Sequence, residues 1–207
     1  MLGDESGREQ SLTPRHERTI RRFYLRLLLG AYLGVSGKDV RISRMVKGKP
    51  VLDPNVHQHR LGFSSAGSNG CCIIGISTAG QIGVDLEMSG RKTAKPLSLV
   101  QRYFSQTEQA RFDDLRESDI NDAFLHTWAC KEAVVKAAGH GIANQLCRFT
   151  VNINPAKPAK LLKIEGDEAE KWQLSMINPA KGFIACVALR HSRLRFKGFS
   201  LSHRLSA

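Results

Sequence analysis

Gly83-Val84-Asp85-Leu86-Glu87 is the stretch from which the rest of the chain is read. It follows the apolar run Cys71-Cys72-Ile73-Ile74-Gly75-Ile76 and a turn at Thr78-Ala79-Gly80, then climbs through Ile82, so it reads as a strand. Side chains two apart on a strand share a face, which sends Asp85 and Glu87 one way and Val84 and Leu86 toward the core. Two carboxylates side by side on an apolar strand repel each other unless a cation or basic group offsets them. A metal ion is one way to supply that charge.

Forty-five residues after Glu87 comes Glu132, inside Trp128-Ala129-Cys130-Lys131-Glu132-Ala133 and followed by Lys136. The surrounding segment, 123–138, reads as a helix stopped by Gly139 and Gly141. Trp128, Lys131, Glu132, Val135 and Lys136 recur at helical offsets of three and four and so form one stripe. Taken alone, each stretch is also the pattern of an ordinary strand or an ordinary amphipathic helix. Glu132 and Lys136 would then be a surface pair contributing about 0.2–0.5 kcal/mol.

Together and in this order, the two stretches resemble the signature of the Sfp-type 4'-phosphopantetheinyl transferases, a G-[IV]-D-x-E strand followed by a W-x-x-K-E-[AS]-x-x-K helix. Lys47-Gly48-Lys49-Pro50 is similar to the family's G-K-P segment, and Phe104-Ser105-Gln106-Thr107-Glu108 to its F-S-x-x-E segment. Gly139-His140-Gly141-Ile142 fits the glycine pair behind the helix. The resemblance implies an α+β fold, a pseudo-dimer of two similar subdomains in one chain, with the boundary in 88–95. Residues 1–90 would carry the acidic strand and 91–207 the Glu132 helix, with the site in the cleft between them.

That resemblance also implies the chemistry: transfer of the 4'-phosphopantetheine arm of coenzyme A to a serine of an apo carrier protein, releasing adenosine 3',5'-bisphosphate. Asp85, Glu87 and Glu132 would bind Mg2+, which prefers oxygen ligands. Glu132, Lys131 and Lys136 would be catalytic, Glu132 accepting the serine proton directly or through a metal-bound water and the two lysines offsetting negative charge. Trp128 would be a packing anchor. Coenzyme A would be held by Lys136 and Asp85 together with Arg22, Lys47, Lys49, Pro50, Ser68 and Asn69. Ser68 stands where the family's S-H-[ST]-G segment places a histidine facing the 3'-phosphate, and a serine brings no charge. Arg18, Arg22, Lys47 and Lys49 are the basic side chains available to replace it.

Composition agrees with this and leaves alternatives. In 207 residues, 31 basic against 19 acidic side chains give a formal charge of +12, a surface that attracts polyanions and acidic partners. Coenzyme A with an acidic carrier fits; so does nucleic acid, through the basic runs 15–26 and 190–197. No helix-turn-helix, zinc-finger spacing or RNP-like aromatic segment is present, and 7% aromatic content leaves few stacking platforms. A non-catalytic coenzyme A or carrier-binding protein and a basic Mg-dependent nucleic-acid-binding protein are the alternatives. No apolar run is long enough to span a bilayer, and residues 1–10 show no secretory signal. Five cysteines without C-x-x-C spacing read as small hydrophobes, Cys71, Cys72 and Cys130 among them, in a reducing compartment. A cytoplasmic monomer is the expectation, its carrier pathway left open.

For the remaining elements, 12–34 reads as a helix with Thr13 as N-cap and Pro14 at its first position. Val40-Arg41-Ile42 alternates like a strand before the Gly48-Lys49-Pro50 turn. Ser105 to Glu108 has the form of a capping box that opens a helix to about residue 115. Strands are expected near 149–153, 161–164, 172–177 and 183–190, with turns at 155–158 and 178–182.

Overall fold

The computed structural model describes residues 13–58, 61–139, 145–191 and 195–201. Its first helix, α1 (Pro14–Leu33), begins as its sequence predicts: Thr13 Oγ1 accepts from the His16 amide, and Gly34 ends the helix in the left-handed conformation at φ 68°. Two short strands follow as a hairpin, β1 (Ile42–Arg44) and β2 (Pro50–Leu52). β1 starts two residues later than the alternation predicts, because the Val40 carbonyl accepts from the Arg26 guanidinium at 2.6 Å rather than from a partner strand. A second hairpin, β3 (Gly62–Ser68) and β4 (Cys71–Ser77), leads to β5 (Ile82–Met88). Most of the segment 63–70 is strand, and Asn69 and Gly70, at φ 45° and 77°, turn the chain.

The second half of the chain repeats the plan of a long helix, a two-stranded hairpin and further strands. Two short helices, α2 (Pro96–Tyr103) and α3 (Gln106–Asp113), precede α4 (Glu117–Ala138). α4 begins six residues earlier than its apolar pattern suggests. Then come the hairpin β6 (Phe149–Val151) with β7 (Leu161–Ile164), and the strands β8 (Gln173–Ile177) and β9 (Phe183–Leu189). β9 pairs antiparallel with both β8 and β5, so a single sheet, β5-β9-β8, joins the two halves. Gly139 caps α4 at φ 72°; the predicted His140, Gly141 and Ile142 lie outside the described residues, as do the N-terminal tail and residues 192–194.

One repeated interaction shows the likeness of the halves. Arg26 and Lys131 each stand eight residues before the left-handed glycine that ends their helix. Arg26 donates to the carbonyls of Gly37 and Val40, and Lys131 to those of Leu146 and Phe149 at 2.6 and 2.7 Å. In both halves a basic side chain ties the helix to the chain that enters the next hairpin.

The interior lies where α4 covers β5 and β9, lined by Ala129, Cys130, Ala133, Val134, Cys186 and Ala188. A second cluster, Val100, Phe104, Phe112 and Phe124, fills the space between α4 and the α2–α3 pair. Trp128 packs there against Phe124 and Phe104, as an anchor should. All five cysteines are free; Cys130 and Cys186 are buried, but Cys72 is exposed, because strand alternation turns it outward, and is not a core residue as its apolar setting suggests. Among the described residues no helix is long and apolar enough to cross a membrane.

Lys131 is fully buried and ion-paired to Glu108, also fully buried, at 2.8 Å. The Ser105 amide and hydroxyl and the Val151 amide complete the Glu108 carboxylate's partners. Removing one member leaves a buried charge without its partner, typically a loss of about 3–5 kcal/mol. Lys131→Ala should accordingly lower unfolding free energy in urea by that amount; a loss below about 1 kcal/mol would show that the network is dispensable.

Candidate active site

The close approach of α4 to β5 builds the site. A Cβ on Gly83 would lie 1.9 Å from the Ala133 carbonyl oxygen and 2.5 Å from the Ala137 nitrogen, so only glycine lets the helix sit this low on the strand. The next two residues of β5 divide as strand geometry requires. Val84 is fully buried among the apolar side chains, and Asp85 faces α4.

There Lys136 Nζ meets Asp85 Oδ1 at 2.6 Å and lies 4.0 Å from Glu132 Oε2. Glu87, two residues along β5, accepts from Arg91 Nη2 at 2.9 Å. Asp85 Oδ2 is buried with no hydrogen-bond partner among the described residues. Burial raises all three carboxyls above their usual range. For Asp85 the Lys136 ammonium works against that rise, and for Glu87 the negative charge of Asp85 adds to it. Glu132 is pushed up to about 7, by burial first, with Lys136 pulling down and Asp85 and Glu87 pushing up.

Three acids of this kind suit a hard divalent ion, since the donors are all oxygen and one buried oxygen is unpaired. Among the described residues no three His, Cys, Asp or Glu side chains converge as metal ligands do. Lys136 instead provides the charge at Asp85. An ion shared by Asp85, Glu87 and Glu132 would have to compete with that ammonium.

The other predicted residues divide between those near this centre and those apart from it. Ser68 ends β3, half-buried, and Asn69 donates from Nδ2 to Met88 Sδ at 3.0 Å, next in chain to Glu87. Lys47 and Pro50 are exposed on the β1–β2 hairpin, and Arg18 and Arg22 are exposed on α1.

Two predicted residues end elsewhere than expected. Lys131 points away from Glu132 into the interior, where Glu108 and two carbonyls hold it, because adjacent residues on a helix project about 100° apart. Lys49, expected to face the nucleotide, donates to the carbonyls of Ile82 and Ala137 at 3.1 and 3.2 Å. With carbonyls rather than a carboxylate as partners, burial lowers its ammonium to about 8.

Sequence reasoning missed Arg91, Arg21 and the structural role of Glu108. Arg21 lies against the β3–β4 hairpin: a Cβ on Gly67 would be 2.2 Å from its Nη1. Glu17, one turn earlier on α1, accepts from the Gly70 amide at 2.6 Å. The capping box at Ser105 was a visible signal for Glu108, but not for the second partner of its carboxylate. Arg21 and Arg91 had no local signal.

The model of the 4'-phosphopantetheinyl transferase superfamily matches residues 81–188, a stretch that carries Asp85, Glu87, Glu132 and Lys136. The chain is similar to the 4'-phosphopantetheinyl transferase HetI of Nostoc sp., 34% identical over 178 residues, which cover 85% of this chain and 72% of that protein. It is likewise 34% identical over 158 residues to a putative 4'-phosphopantetheinyl transferase of Synechocystis sp., covering 74% of this chain and 61% of that one. A solved holo-(acyl-carrier-protein) synthase from Bacillus anthracis, in complex with CoA, aligns with 54% of this chain and 96% of its own at 24% identity and a TM-score of 0.41.

The raised carboxyl of Glu132 sets a pH dependence. A folded-state pKa above the unfolded one contributes stability that is complete below about pH 4.5 and lost as pH rises through about 7. Glu132→Gln removes this loss, up to about 3 kcal/mol for a shift from 4.5 to about 7. In chelator-containing buffer the variant's advantage in melting temperature should grow from pH 5 to pH 8. A gap that does not change with pH would contradict the burial of this carboxyl.

Proposed function

This chain belongs to the 4'-phosphopantetheinyl transferase superfamily, and from that premise we propose that it transfers the 4'-phosphopantetheine arm of coenzyme A to a serine hydroxyl of an apo carrier protein, releasing adenosine 3',5'-bisphosphate. The observation that carries the proposal is the pairing of Asp85 on β5 with Lys136 on α4, with Glu132 one helical turn back and 4.0 Å from the same ammonium. A carboxylate at this position is suited to accept a hydroxyl proton, directly or through a bound water.

In the reaction the serine oxygen forms a bond to the phosphorus that bears the pantetheine arm. The bond from that phosphorus to the bridging oxygen of the diphosphate breaks, and adenosine 3',5'-bisphosphate leaves with that oxygen. Glu132 takes the serine proton. Lys136, with three donors on a flexible stem, swings from Asp85 to the transferred phosphoryl oxygens. Such displacements depend mainly on positioning and on stabilising developing charge, which are the roles these side chains can fill. Asp85, Glu87 and Glu132 would hold Mg2+, which would neutralise charge on the diphosphate oxygens when bound. Asp85 Oδ2, buried and unpartnered among the described residues, supports that assignment.

At the adenosine end, Arg21 lies against Gly67, on the face of β3 turned away from Ser68, because successive strand side chains alternate. Arg18, Arg22 and Lys47, exposed on α1 and the β1–β2 hairpin, are the basic groups that could bring charge to the 3'-phosphate. The partners of the reaction are coenzyme A and a carrier protein, and a chain with a formal charge of +12 favours an acidic carrier.

Intact-mass measurement of an apo carrier protein incubated with the chain, coenzyme A and Mg2+ should show the gain of one phosphopantetheine unit. Asp85→Ala, Glu87→Ala and Glu132→Ala should each reduce the rate by about 10²-fold or more. No mass gain with the wild-type chain on any apo carrier supplied, or normal transfer by Glu132→Gln, would overturn the assignment.

A further inference from the structure

The β1–β2 hairpin reaches across to the end of α4, and its contacts there have no part in the reaction as described. From the turn at Gly48, which adopts φ 87°, Lys49 extends its ammonium into the angle between β5 and α4. It donates at once to the Ile82 carbonyl, three residues before Asp85, and to the Ala137 carbonyl, one residue after Lys136. The stem of the same side chain and the Met45 thioether close over Gly139: a Cβ there would lie 3.4 Å from Lys49 Cδ and 3.3 Å from Met45 Sδ.

A helix leaves its last four carbonyls without intrahelical partners, and a cation there is favourable against the helix dipole. Lys49 supplies both a donor and a charge, and it does so from the half of the chain that does not carry α4. Its second bond fixes the start of β5 to the same atom. The strand that bears Asp85 and the helix that bears Glu132 and Lys136 are thereby held through one nitrogen, just beyond the close approach at Gly83.

We infer that Lys49 is a positioning residue for the transfer reaction: its ammonium sets the height and register of α4 over β5, and through them the placement of Lys136 and Glu132 against Asp85, rather than holding a phosphate of coenzyme A. This rests on the transferase reading of the site. It goes beyond it in giving the lysine of the G-K-P segment a place in the protein's own framework.

Positioning and ligand binding separate in the kinetics. Loss of a positioning group lowers kcat, whereas loss of a ligand contact made equally in ground and transition states raises KM. Lys49→Met, which keeps the stem over Gly139 and removes the donor, should lower kcat by about tenfold or more and leave the KM for coenzyme A within about twofold. Lys49→Arg, which restores a cationic donor, should recover part of kcat. Amide hydrogen exchange, read on the same proteins without ligand, should quicken in the last turn of α4 and the first residues of β5 in Lys49→Met.

A KM for coenzyme A raised tenfold at unchanged kcat would make Lys49 a ligand and overturn the inference. Unchanged kcat, KM and exchange would overturn it equally. If Lys49→Met does not fold, Lys49→Gln gives the same kinetic separation. Wild-type protein that transfers nothing removes the transferase reading itself, and accelerated exchange in the variant would then mark Lys49 as part of the framework alone. Active wild type with an indifferent variant defeats only the positioning role.

Discussion

The absence of a side chain at Gly83 is the constraint on which the rest depends. Because no Cβ separates β5 from α4 there, the helix backbone comes down onto the strand, and the residues that follow face each other across a short gap. Asp85 therefore meets Lys136 directly, and Glu132, one helical turn back, falls within reach of the same ammonium. A helix raised by the width of a methyl group would part these groups and admit water between them. The acids would then return toward ordinary carboxyl behaviour, and the near-neutral Glu132 would be lost.

The two halves use one plan but do not make two sites. Arg26 and Lys131 perform the same structural task at the same distance from their helix ends. At the positions on α1 that correspond to Glu132 and Lys136, seven and three residues before the terminal glycine, stand Leu27 and Ala31. Across the central pair of strands Asp85 lies opposite Cys186, so the acid on β5 has no counterpart on β9. The plan of helix and hairpin occurs twice, the cluster of charged side chains once. The charged groups lie where α4 packs on β5, so Lys49 and Asp85, from before residue 90, and Glu132 and Lys136, from after it, meet along that contact.

Much of this was legible in the sequence because the decisive signals are local. The caps at Thr13 and Ser105, the glycine ends of α1 and α4, and the alternation around Asp85 follow from backbone geometry within a few residues. The pairing of the acidic strand with the Glu132 helix followed from two motifs in order. What was not legible concerns where long basic side chains end. Lys131 and Lys136 both follow the helical stripe, yet one ammonium is drawn inward by Glu108, a partner twenty-three residues earlier, and the other outward by Asp85. Lys49 shares a motif with exposed neighbours but ends on two carbonyls thirty-three and eighty-eight residues away. Such destinations depend on which backbone groups the fold leaves unpaired, and no sequence period carries that.

The central claim is that α4 and β5 together present one charged centre, now bridged by Lys136 and able to pass to a divalent ion and a diphosphate. A crystal structure of the chain with Mg2+ and coenzyme A tests it most directly. The expected result is oxygens of Asp85, Glu87 and Glu132 around one ion at about 2.1 Å, with Lys136 moved from Asp85 to a phosphate oxygen. An ion and diphosphate bound elsewhere, with Lys136 still on Asp85, would contradict the account.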